Sequence, residues 1–103
     1  MIKVNILKDK DMIKEITISG HALYDDYGKD IVCAAVSSTV ITTINGIMMI
    51  NESIDANIFD DKVTIRVLYN DDITFKLLTN MINNLSELES EYNKYIKILI
   101  KEV

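Results

Sequence analysis

Ile2, Val4 and Ile6 alternate with Lys3 and Asn5, and after the polar stretch Lys8-Asp9-Lys10-Asp11 a second alternation sets Ile16 and Ile18 against Glu15, Thr17 and Ser19. A period of two marks half-buried strands, so this segment reads as a hairpin. Ser19-Gly20-His21 closes the second strand, and Ala22 to Lys29 form a polar, aromatic loop. The period then changes. Val32, Val36, Val40, Ile44 and Met48 fall on one i,i+4 row, with Ala35 and Ile47 beside it and Asp30 placed to cap the start. The β-branched run from Val36 to Ile44 favours a strand by propensity, but a strand of about 20 residues would be several times the usual length. The row therefore predicts a helix from Asp30 to about Met49.

Ile58-Phe59 and the alternating Val63, Ile65 and Val67 flank Asp60-Asp61-Lys62 and predict a second hairpin. Asp71 and Asp72 open a second helix, with Leu78, Ile82, Leu85 and Leu88 at helical spacing up to about Tyr92. Ile96, Ile98 and Ile100 form a last strand. The order β-β-α-β-β-α-β predicts a single α+β domain over residues 1–103: a largely antiparallel sheet of about five strands with two helices on one face.

Composition narrows the function. Hydrophobic residues make up 49% and charged residues 26% of the 103 positions, the profile of a folded soluble domain. The net charge of −5, with Arg66 the one arginine, disfavours direct nucleic-acid binding and suits a basic partner better. No signal peptide is expected, because Met1 leads straight into an alternating strand pattern, and no apolar run is expected to approach the roughly 18 residues that span a membrane. A chain with one cysteine forms no internal disulfide, which fits a reducing compartment and leaves Cys33 a free thiol.

That cysteine and the one histidine lie twelve positions apart in sequence number, in Gly20-His21-Ala22 and Asp30-Ile31-Val32-Cys33. With Asp30 as cap, Cys33 falls in the first helical turn, where free backbone N–H groups and the positive dipole end favour a thiolate. The intervening loop can fold back to bring His21 beside the sulfur as its base, and N–H groups at the helix start could hold an oxyanion. Read blandly, Cys33 is a small buried hydrophobe and His21 a surface residue. Asp30 is a cap, or also a partner that orients His21. The Ser37 hydroxyl lies one turn beyond Cys33 and either lines the pocket or bonds back to its own helix. Asp25 and Asp26 would oppose a thiolate if they came close, and otherwise are solvated. Tyr24 and Tyr27 contact an extended peptide, or pack the loop down.

Other chemistries are excluded. One Cys and one His fall short of the four ligands of a structural zinc site, and a Cys-x5-Arg phosphatase loop would need arginine where Thr39 stands. Gly20, Gly28 and Gly46 do not fit a phosphate-binding loop. No metal and no cofactor is expected.

The stretch GHALYDDYGKDIVCAAVS, residues 20 to 37, resembles the signature of the ribosomal-processing cysteine protease (Prp) family, in which a GHA motif precedes G-x-DIVCAAVS across a short loop. The resemblance implies that Cys33 is the nucleophile and His21 the base, with Asp30 and Ser37 as supporting residues. It implies a cytoplasmic homodimer that cuts an N-terminal extension from large-subunit ribosomal protein twenty-seven after an aromatic residue, by way of a mobile loop between His and Cys. Asp25-Asp26 depart from relatives that often carry small or varied residues there, so loop contacts to substrate do not transfer. The competing expectation is a non-enzymatic module that binds ribosomal proteins or assembly factors; a third is a thiol redox sensor.

Overall fold

The alternating isoleucines and valines set the architecture, because a strand that sends every second side chain inward must be covered on that side only. In the computed structural model, which describes residues 1–26 and 30–103, β1 (Ile2–Asp9) and β2 (Met12–Ser19) form the first hairpin, followed by α1 (Ile31–Ile50). The second hairpin is β3 (Ile54–Ile58) and β4 (Lys62–Val67), then α2 (Asp72–Glu91) and β5 (Ile96–Glu102). The strands make one sheet in the order β3-β4-β2-β1-β5. Three of its pairings are antiparallel, and β5 runs parallel to β1. A parallel neighbour requires a crossover, and α2 is that crossover.

Ile2, Val4, Ile6, Ile16, Ile18, Ile65 and Ile96 are buried on the helical side of the sheet. Into them pack Val32, Val36, Val40, Ile44 and Ile47 of α1 and Thr74, Leu78, Met81 and Leu85 of α2. Met81 was not in the expected apolar row, and it is fully buried while Ile82 and Leu88 are only partly so. The i,i+4 row of α1 holds except at Met48, which is exposed.

Two differences from the expected boundaries have local causes. The first hairpin turns over Lys10, in the left-handed region at φ 58°, so its strands reach further into the polar stretch than alternation indicated. A register shift after Leu7 lets one extra β2 residue bulge, which is why Ile13 and Ile16 are both buried although three positions apart. In the second hairpin β3 begins at Ile54, four residues before the expected start: Ile54, Ala56 and Ile58 alternate with Asp55 and Asn57, a period carried weakly because its middle inward position is an alanine.

One expectation is corrected. From Ile31 to Ile50, α1 carries no charged side chain, and by length and composition it is long and apolar enough to cross a membrane. Ser37, Ser38, Thr39, Thr42, Thr43 and Asn45 break its apolar run without adding charge, so a scan for uninterrupted hydrophobic residues overlooks it. Its buried Val32 to Ile47 row is what a core helix shows when it covers a sheet.

Candidate active site

The site is built where β2 ends and α1 begins. β2 is held between β1 and β4, and at its exit Gly20 turns the chain with φ 84°, its N–H donating to the Asp61 carbonyl at 3.1 Å. A Cβ on Gly20 would lie 2.5 Å from the Met1 carbonyl oxygen. Gly20→Ala therefore suffers both the strained φ and a backbone collision, and is expected to lower stability by more than about 1 kcal/mol. A urea titration followed by circular dichroism checks this as a fall in midpoint.

Past Gly20, the Ala22 N–H donates to Cys33 Sγ at 3.2 Å. The methyl of Ala22 is buried in the core, which pins this contact from below. Leu23 follows in the left-handed region, φ 58°, with its side chain largely exposed; for a residue with a Cβ that conformation costs about 1–2 kcal/mol. Tyr24 then donates its N–H to Asp30 Oδ2 at 3.0 Å. The leucine is thus fixed between two anchors on α1.

Asp30 is the N-cap. Its Oδ1 accepts from Val32 and Cys33 N–H, each at 3.0 Å, while Oδ2 takes Tyr24. Burial alone would raise this carboxyl, but the backbone N–H groups of Cys33, Tyr24 and Asp25, together with the Cys33 thiol, hold it below the ordinary aspartate value of 3.8. Among the described residues no hydrogen bond joins Asp30 to His21, so the capping role is present and an orienting one is not seen.

A carboxyl depressed by folding adds stability that is complete above its unfolded value and disappears as pH falls through its folded value. Asp30→Ala should lower stability by about 1 kcal/mol at neutral pH. Urea midpoints of the two proteins, measured from pH 7 downward, should converge as the pH passes below 3.8.

Cys33 is partly buried and lies in the wall of a cleft of about 670 Å³. His21, Asp30 and Ser37 line the same cleft, and all four residues singled out in the sequence are therefore brought together. His21 and Ser37 are exposed. Thr39 and Thr43 bond back to the carbonyls of Ala35 and Thr39, whereas Ser37 shows no such bond among the described residues. No hydrogen bond joins the His21 ring to Sγ among them either, and such contacts are often loose before substrate binds.

One part of the lining was not foreseen. It is the β3–β4 turn, with Ile58 and Phe59 exposed and Asp60 and Asp61 at its tip. The sequence marks this segment as a turn only. What brings it to the cysteine is the β2–β4 pairing, which sets Ser19 opposite Lys62. Asp25 also lines the cleft, while its Oδ1 accepts the Asp26 N–H at 2.7 Å. Tyr24 packs the loop down, and the expected contribution of Tyr27, like Gly28 and Lys29 of the motif, lies outside the described residues.

A partly buried cysteine at a capped helix start, on a cleft with a histidine, matches a family pattern over nearly the whole chain: the family described as "Cysteine protease Prp" covers residues 1–97. The chain belongs to the Prp family of cysteine proteases. It is 35% identical over 107 residues to the ribosomal processing cysteine protease Prp of Staphylococcus aureus, covering 98% of this chain and 100% of that one. Two crystal structures of the S. aureus Prp superimpose closely. The complex with a covalently linked product peptide has a TM-score of 0.93 at 33% identity, and the complex with a substrate peptide 0.87 at 31%. Each covers 98% of this chain and 100% of the other. Membership in Prp assigns peptide hydrolysis by a cysteine, so the non-enzymatic module is set aside. Cys33 is the one cysteine in this chain that such chemistry has available.

Proposed function

We propose that this Prp protein is an endopeptidase that removes the N-terminal extension of a ribosomal protein precursor of the ribosomal protein twenty-seven type, with Cys33 as nucleophile and His21 as base. The observation that carries the reading is Cys33 Sγ in the cleft wall, accepting the Ala22 N–H at 3.2 Å. A backbone donor on the sulfur favours negative charge there, and the imidazole leaves the chain one residue earlier, within side-chain reach of the same atom.

The sulfur adds to the scissile carbonyl as His21 takes the thiol proton, and the oxyanion forms against backbone N–H groups. The imidazolium returns that proton to the departing amine, leaving an acyl-thioenzyme. Water, deprotonated by His21, then releases the carboxylic acid and the free thiol. Ser37 lines the pocket, and Asp30 supports the site by holding both the loop and the first turn. No cofactor enters the balance. Exposed Leu23, Ile58 and Phe59 suit an apolar or aromatic side chain on the acyl side of the cut, and the S. aureus relative is named for ribosomal processing.

The net charge of −5 suits a basic ribosomal precursor. We further propose a cytoplasmic homodimer that binds no nucleic acid, in keeping with its net charge of −5, and no membrane, since the buried row of α1 is occupied by the core. The test is to incubate the protein with an extended precursor of ribosomal protein twenty-seven and weigh the products. A single cut that leaves the mature chain supports the proposal; an intact precursor, or cuts scattered along it, overturns the substrate assignment.

A further inference from the structure

Tyr24 stands on a corner of the fold that belongs to neither the loop nor α1. Its ring meets Tyr92 edge-to-face at 5.7 Å and 86°, and Tyr95 at 5.1 Å and 79°. Both partners are fixed. Tyr92 is the C-cap of α2, its N–H bonded to the Leu88 carbonyl at 2.8 Å, and its own carbonyl accepts from Tyr95 and Ile96. The Tyr95 carbonyl in turn takes the Ile2 N–H at 2.8 Å, which ties the corner to β1. The platform under Tyr24 is therefore part of the sheet's own framework.

Above that platform the chain is held in a conformation it would not choose. Leu23 sits at φ 58° between the Ala22 N–H on Cys33 Sγ and the Tyr24 N–H on Asp30. Strain of this kind persists only when the surroundings over-determine it. Without the ring docked, the two backbone bonds alone would have to hold that strain, and a Leu23 that relaxed to a negative φ would carry the Ala22 N–H off the sulfur.

We propose that Tyr24 is a positioning residue for the nucleophile: by docking on Tyr92 and Tyr95 it keeps the Ala22 N–H directed at Cys33 Sγ. That donor faces the negative charge the sulfur carries as it attacks the carbonyl, and again as it leaves the acyl-enzyme. The inference rests on Cys33 being the nucleophile. The tyrosine acts through its ring and not its hydroxyl, because both contacts are made by ring edges and faces.

The experiment compares wild type with Tyr24→Ala, Tyr24→Phe, Tyr95→Leu and Cys33→Ala, using a fluorogenic peptide spanning the cleavage sequence and, separately, iodoacetamide alkylation of Cys33. The Tyr24→Ala protein should lose about 10- to 100-fold in kcat per titrated active site with KM little changed, and its alkylation should slow in parallel. Tyr24→Phe should restore both rates, and Tyr95→Leu, which leaves the loop sequence intact, should fall between. A Tyr24→Ala enzyme with wild-type kcat and alkylation rate overturns the inference, as does a Tyr24→Phe enzyme as impaired as the alanine. Cleavage that persists in Cys33→Ala would instead sink the assignment of the nucleophile. The alkylation arm needs no substrate, so it reports on Tyr24 even if the chosen peptide is not cut.

Discussion

Cys33→Ala is expected to reduce peptide cleavage by at least about 10⁴-fold, because the alternative nucleophiles in the cleft lack the thiol's reactivity and no second cysteine exists. The fold should tolerate the change. Cys33 is only partly buried, alanine fits the helix, and the Asp30 cap bonds to the Cys33 N–H and not to its side chain alone. Stability should stay within about 1 kcal/mol of wild type. A fluorogenic assay run beside a urea titration separates the two effects, and a variant that is inactive because it is unfolded would show in the second.

His21→Ala is the second large effect, an expected loss of about 10²- to 10⁴-fold, the usual worth of a general base. His21 is exposed and makes no hydrogen bond with its ring among the described residues, so removing the ring should cost the fold almost nothing. The loss should appear in kcat and in kcat/KM alike, since proton transfer serves the transition state and not the bound substrate. Initial rates over a range of peptide concentrations give both. A mutant with normal kcat would mean that the thiol proton goes elsewhere.

Much of this was legible in the chain. Alternation at Ile2, Val4 and Ile6 and the i,i+4 row from Val32 to Ile44 report burial directly, because a period of two or 3.6 is the physical cause of a half-covered strand or helix. The cap was legible as well: an aspartate three residues before Cys33 has few other places to direct its oxygens. Local signals ended at pairings distant in sequence. Nothing in Asp60-Asp61-Lys62 announces a cleft wall, since that role comes from β4 lying beside β2. Likewise the Tyr24 contact with Tyr92 and Tyr95 spans about seventy residues and joins three positions with no shared period. The bulge at β2 and the left-handed Leu23 were hidden for a related reason, because both are imposed by neighbours and contradict the residues' own preferences. The uncharged length of α1 shows the opposite failure: hydroxyl side chains concealed from a simple count how apolar the helix is.

Cys33 and His21 themselves stood out by being the one cysteine and one histidine, yet rarity is not chemistry. What the fold adds is a shared cleft, a backbone donor at 3.2 Å from the sulfur, and a carboxylate that keeps the loop and the first turn of α1 together. Those three features explain how a loop with a strained residue can keep a backbone donor on a nucleophile carried by α1.

The most direct measurement is the intact mass of the enzyme quenched in acid within milliseconds of mixing with the extended peptide. A transient species heavier by the N-terminal product less one water is expected, with the added mass on Cys33 after proteolytic mapping, and no such species from Cys33→Ala. An adduct on Ser37, or undiminished cleavage by Cys33→Ala with no adduct at all, would contradict it.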